Sequence, residues 1–109
     1  MARVAVPVTI ATRAGVALPA ETTGDPVNNH SVANSGKTKV HVHNTNGAST
    51  ARTVTFRIYS TVDGQTVTSR TKAIPAGETH VFGPFPTADY GTTLLIDVDN
   101  AELKLRAVE

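Results

Sequence analysis

The stretch Thr53–Tyr59, "TVTFRIY", alternates Val54, Phe56 and Ile58 with Thr53, Thr55, Arg57 and Tyr59. Successive side chains of a strand point to opposite faces, so this period of two predicts a strand with one buried side. Three further runs read the same way. "KVHVH" sets Val40 and Val42 against Lys39, His41 and His43, and "TLLIDVD" turns Leu94, Ile96 and Val98 inward with Asp97 outward. "ELKLRAV" repeats the pattern with Leu103, Leu105 and Ala107. Thr and Val are abundant and runs of helix formers are missing, which favours sheet because β-branched side chains lose freedom in helices and pack well on a pleated surface.

Turn chemistry separates these runs. Asn46-Gly47 and Asp63-Gly64 tolerate the positive φ of tight hairpins. Pro75-Ala76-Gly77 offers a corner between strands near 66–74 and 79–85, and "VDNAE" closes a last hairpin. With runs near 4–10, 38–44, 52–60, 92–98 and 102–108, the reading is an all-β fold. It is an antiparallel sandwich of about seven strands, Ig-like or jelly-roll-like, without a helix. Residues 11–37 are rich in Gly, Pro, Asn and Thr and lack sustained alternation, so they read as a long loop, with room for one short strand near Gly15–Pro19. The domain expectation is therefore residues 1–37 as N-terminal arm and loop and 38–109 as the sandwich core, one domain overall. Pro7 marks the first strand as an edge or arm.

Bulk properties narrow the function. A chain of 109 residues can bury roughly 65% of its unfolded surface and fold without staples. Cysteine is absent, which removes disulfides and Cys-based metal sites. A net charge of +1 with scattered basic residues gives little pull toward nucleic acid or an acidic membrane. The opening "MARVAVPVTIATRAGVAL" does not read as a secretion signal, since Pro7, Thr9, Thr12 and Arg13 interrupt any apolar core.

The candidate chemistry is thin. His41 and His43 share a strand face at a spacing used by zinc sites, with His80 as a third ligand, yet outward strand positions are ordinarily polar. Asp97, Asp99, Asn100 and Glu102 suggest a calcium loop, but Ala101 stands where a ligand is expected, and a strand end followed by an Asx turn explains them better. "SGKT" at Ser35–Thr38 is the tail of a phosphate loop without its upstream Gly, and no serine sits in a nucleophile elbow. No enzyme, cofactor or metal is expected. In "VFGPFP", Pro84 and Pro86 remove two backbone donors and end the strand. Val81 and Phe85 are expected to face the core, with Phe82 turned outward as a docking element.

In order and spacing, several of these elements resemble a group of small proteins of tailed bacteriophages and prophages. They are Val62-Asp63-Gly64, Arg70-Thr71, Pro75-Ala76-Gly77, Gly83-Pro84-Phe85-Pro86, Tyr90 and the final Leu103–Val108 strand. Asn34, Gly36 and Asn44 to Gly47 match the upstream part of the pattern, and Arg13–Leu18 extends it. His41, His43, Asp97 and Asp99 are not part of it. The resemblance implies a β-sandwich virion protein that decorates or cements the outer surface of a phage head, assembled in the host cytoplasm. Its partner would be the major capsid protein lattice, as monomer or homotrimer, with no nucleic acid and no membrane. Val4, Val6, Pro7 and Val8 of the arm, which alternates so as to add to a partner's sheet, and Phe82 and Pro84 are the expected partner contacts. The competing readings are a head–tail connector or tail component, and a secreted carbohydrate-binding or adhesion module. The latter is poorly supplied, since the chain has no Trp and only two Tyr.

Overall fold

The computed structural model describes residues 3–58, 61–66 and 68–109. Tyr59, Ser60 and Val67 of the expected strands, and Ala2 of the expected arm, lie outside the described residues. Among the described residues, twelve strands and one helical turn follow in order. They are β1 (Val4–Ala5), β2 (Val8–Thr9), β3 (Thr22–Thr23), β4 (His30–Ala33), β5 (Lys39–Asn44), β6 (Arg52–Phe56), β7 (Thr61–Val62), β8 (Gln65–Thr66), β9 (Arg70–Ile74), β10 (Thr79–Phe82), α1 (Thr87–Tyr90), β11 (Thr93–Val98) and β12 (Leu103–Val108).

Two sheets form a sandwich. One has the order β1-β4-β11-β6-β9; the other runs β10-β5-β12-β2, with β3 also paired to β12. The alternating residues meet in between: Val40, Val42, Val54, Phe56, Leu94, Ile96, Leu103, Leu105 and Ala107 are fully buried. The all-β sandwich expected from the pattern is therefore the fold. A two-residue hairpin, β7–β8, stands apart as a third small sheet. Asp63 (φ 51) and Gly64 (φ 74) are both left-handed there, as a two-residue hairpin turn requires.

The connections differ from the expectation. Apart from β6 to β9, every link between consecutive strands of four or more residues crosses from one sheet to the other. Pro75-Ala76-Gly77, closed by Glu78 N–H donating to the Pro75 carbonyl (3.1 Å), carries the chain from the edge of one sheet to the edge of the other. Asn100 makes an Asx turn, its Oδ1 accepting Glu102 N–H (2.9 Å), and it too joins opposite sheets. Asn46-Gly47 lies in a third such arch, where Asn46 Oδ1 accepts Ala48 N–H (2.9 Å). Turn residues reveal that the chain reverses; they carry no information on which sheet it reverses into.

The N-terminal third needs the largest correction. It is neither a free arm nor one long loop. β1 pairs in parallel with β4 (Val4↔His30) and β2 in parallel with β12 (Ala107↔Val8), so one short segment switches sheets at Val6-Pro7. Val6, at the switch, is 3% exposed. Pro7 lacks the donor that a continuous ladder would need, which suits a break between two pairings. The expected short strand near Gly15–Pro19 is not formed; β3 and β4 lie further on, and β4 is an interior strand between β1 and β11. One helical turn, α1, also departs from the helix-free expectation.

Candidate interaction surfaces

The Gly83-Pro84-Phe85-Pro86 block closes one end of the sandwich. Phe82 and Phe85 both pack on Phe56, with ring centroids 4.8 Å and 5.1 Å away, and Tyr90 meets Phe85 edge-on at 5.0 Å. All three phenylalanines and Tyr90 thus form one cluster. The outward Phe82 expected from parity is corrected by strand register: Phe82 pairs opposite buried Val40, and Val81 opposite outward His41. Gly83, at φ 122, re-aims the chain beyond it, so rings three residues apart face the same side. The Gly83–Pro84 peptide is cis. Val81, expected inside, is the side chain that faces out, 58% exposed.

Two buried asparagines tie this end and the opposite one. Asn34 donates from Nδ2 to the carbonyls of Phe85 (3.0 Å) and Gly91 (2.9 Å), while its Oδ1 accepts Gly36 N–H (3.0 Å). Asn44 donates to the carbonyls of Thr50 (3.1 Å) and Ile74 (2.8 Å) and accepts Asn46 N–H (2.9 Å). These are the Asn-x-Gly and Asn-x-Asn-Gly elements of the sequence, and each satisfies loop carbonyls that would otherwise be buried without a partner.

The sheet edges are unequal. β9 carries Arg70 and Lys72 at the core-side parity of Val54 and Phe56, and inward-pointing charge on an edge discourages a further strand. β10, the edge of the other sheet, has no Asp, Glu, Lys or Arg and, among the described residues, pairs only with β5. Beside it is a cleft of about 450 Å³ lined by Arg70, Val81, Pro84, Pro86, Asp89 and Tyr90. Arg70 Nε reaches the Tyr90 hydroxyl at 3.4 Å.

The expected contact residues are not gathered in one place. Val4, Pro7 and Val8 lie at the β1/β2 edges, whereas Phe82 and Pro84 lie at the opposite edge of the sandwich. Val6 is in the core and offers no side chain to a partner; Phe82 is half-buried against Phe56 and also lines the cleft beside β10, and Pro84 and Pro7 are exposed. The sequence reading also places the contact surface on parts of the 11–37 loop; there the excursion 10–20 exposes Ile10, Val16 and Leu18 before the chain returns to β12 at Thr22.

The histidines do not converge. His41 and His43 face outward from β5, while His80 is paired opposite buried Val42, lies across from Phe82 (6.3 Å) and binds Glu78 (2.9 Å). No group of three metal-ligating side chains occurs among the described residues. Asp97 is committed elsewhere, bridging Arg3 (2.7 Å) and Arg57. Burial pushes its carboxyl up, but the hydrogen bonds from Arg57 and Arg3 outweigh that and hold it below the usual range. His30, fully buried in β4, accepts Asp25 N–H at Nε2 (2.9 Å) and contacts the Val4 carbonyl through Nδ1 (3.2 Å). Those two roles fit the neutral ring with its proton on Nδ1. Burial lowers its pKa, opposed by the Val4 hydrogen bond and Asp25. Comparison with family models, with curated proteins and with solved structures gives no match to this chain.

Proposed function

We propose that this chain is a structural interaction protein that decorates the outer surface of a tailed-phage head, binding the major capsid protein lattice and cementing neighbouring subunits. The observation that carries the reading is the outer edge of β10, free of Asp, Glu, Lys and Arg and, among the described residues, without a strand beyond it, with Val81 exposed beside the Pro84 cleft. A strand edge of that kind supplies main-chain hydrogen bonds to an added strand, and the adjoining cleft supplies selectivity. The likeness to small phage virion proteins supports it, because Arg70, Gly83-Pro84-Phe85-Pro86 and Tyr90, which belong to that likeness, line the cleft beside this edge. Near-neutral charge suits a protein packed in many copies on one lattice.

Co-sedimentation with the cognate heads, expanded and unexpanded, tests the reading. Wild type is expected to pellet with expanded heads, and Val81→Asp to lose most of that binding while remaining folded. Failure of folded wild type to bind either head form would overturn it. Deleting residues 1–10 is not a usable test, since it removes strands from both sheets.

A further inference from the structure

The outward face of the β10-β5-β12 sheet is strongly one-signed. Val81, His41 and Arg106 form one cross-strand row, and Thr79, His43 and Lys104 the next. Lys39 extends the face, and Glu21, just before β3, is the acid seated on it. Glu21 Oε2 lies 3.0 Å from His43 Nδ1 but 3.7 Å from Arg106 Nη2. Arg106 Nε is buried and has no hydrogen-bond partner.

Another arginine of the chain shows what that edge of a guanidinium ordinarily does. Arg52 places Nε (2.8 Å) and Nη2 (2.7 Å) on the Glu102 carboxylate. Arg57 presents the same two nitrogens to Asp97. In both, the two nitrogens converge on a single carboxylate oxygen, Glu102 Oε1 and Asp97 Oδ2, so this edge of the guanidinium is where the chain holds its own carboxylates by charge-assisted hydrogen bonds. In Arg106 this edge is half used: the long contact is on Nη2 and the Nε–H is left without an acceptor, a costly arrangement for a buried donor. Glu21 ends the exposed excursion 10–20 and is drawn toward His43 rather than onto the fork.

We infer that Arg106, with His43 and Lys104 beside it, is a carboxylate-recognition site for an acidic segment of a protein partner, and that Glu21 is an internal occupant which the partner's carboxylate displaces. Carboxylate is favoured over phosphate because a carboxylate already occupies the site and because the two other forks of this kind hold carboxylates. Charge complementarity of the face selects an acidic partner. The inference does not rest on the capsid reading: Val81 lies in the same outward row, but the groups invoked here are Arg106 and Lys104 on β12 and His43 on β5, and the test reads peptide binding rather than binding to heads.

The test is fluorescence anisotropy with a labelled oligoglutamate peptide at low ionic strength. Glu21→Gln removes the internal competitor and is expected to tighten binding about threefold or more. Arg106→Gln is expected to weaken it about tenfold, and Arg106→Lys nearly as much, because lysine keeps the charge but not the fork. Lys39→Gln, away from the fork, is expected to change it less than about twofold. Glu21 sits on an exposed segment, so its variant reads the site even if the Arg106 variants fold poorly. Unchanged or weaker binding by Glu21→Gln would overturn the inference. So would equal losses from every basic substitution, or tighter binding of a DNA duplex than of the peptide.

Discussion

Asn44 shows how a single side chain sets loop geometry. It is fully buried at the end of β5 and makes three hydrogen bonds, one to the carbonyl of Thr50 in the following loop and one to that of Ile74 on β9. Asn44→Ala is expected to cost about 2–4 kcal/mol, since the loss of the bonds is compounded by two carbonyls left unpaired. A urea midpoint shifted by less than about 0.5 kcal/mol would show the carbonyls finding water instead. His30 gives a pH prediction of definite sign. Its folded pKa is lowered from 6.5, so the unfolded chain binds the proton first as pH falls. The stability contributed by the neutral ring is full above about 6.5 and is lost as pH drops through the folded value. His41, lowered by burial and by Arg106, acts in the same window, whereas Asp97, Asp25 and Glu102 are lowered carboxyls that lose their contribution only at more acid pH. Urea unfolding of wild type and His30→Gln between pH 7.5 and 5 is expected to show a shallower slope in the variant. Parallel curves would mean that His30 does not titrate with unfolding.

At the scale of elements, Gly83 decides how the β10–α1 connection is built. A Cβ there would stand 2.7 Å from the Thr38 carbonyl oxygen and 3.1 Å from Lys39 Cα, at a φ of +122 that other residues avoid. Gly83→Ala is therefore expected to cost about 2 kcal/mol or more, and to disturb the Phe82–Phe56 contact in aromatic side-chain NMR. An unchanged midpoint would place the aromatic register under the control of the prolines alone. The edge strands carry a different expectation. Val81→Lys on β10 touches no core residue and is expected to alter stability by less than about 0.5 kcal/mol, while giving that edge the charge that β9 already has. Strand faces were legible in sequence for β5, β6, β11 and β12, because each has two or three apolar positions at period two with mostly polar residues between them. β4 was not: "HSVA" is four residues with one conventional apolar side chain, and its other inward residue is a histidine made neutral and satisfied by partners from elsewhere in the chain.

For the whole molecule, the sheet-switching N-terminus makes the two sheets one cooperative unit. Val6 fills the core between them, Arg3 binds Asp97 on β11, and Ala11 N–H donates to the Glu109 carbonyl (2.9 Å). Deletion of residues 1–9 is expected to lower the thermal midpoint by about 10 °C or more, from the loss of a buried valine and two strand pairings. A midpoint within a few degrees of wild type would show that the sandwich closes without them. The 25 Å short dimension of the molecule is that of two sheets and their side chains, so there is no third layer to compensate.

Sequence alone determined what depends on neighbours along the chain. The all-β class, the buried face of each long strand, the reversals at Asp63-Gly64 and Pro75-Ala76-Gly77, and the end of β10 at Pro84 all follow from side-chain period and local φ preference. Tertiary structure decided what depends on partners far away. Which sheet each strand joined was set by pairing across the sandwich, so turns read as hairpins became arches and a strand read as an arm divided between two sheets. The direction of Val81 and Phe82, and with it the candidate surface, was set by the register of β10 on β5, and Phe85 joined the side of Phe82 because Gly83 let the backbone approach Thr38 and Lys39. A periodicity argument assumes a regular backbone, and it fails at the one residue free to leave it.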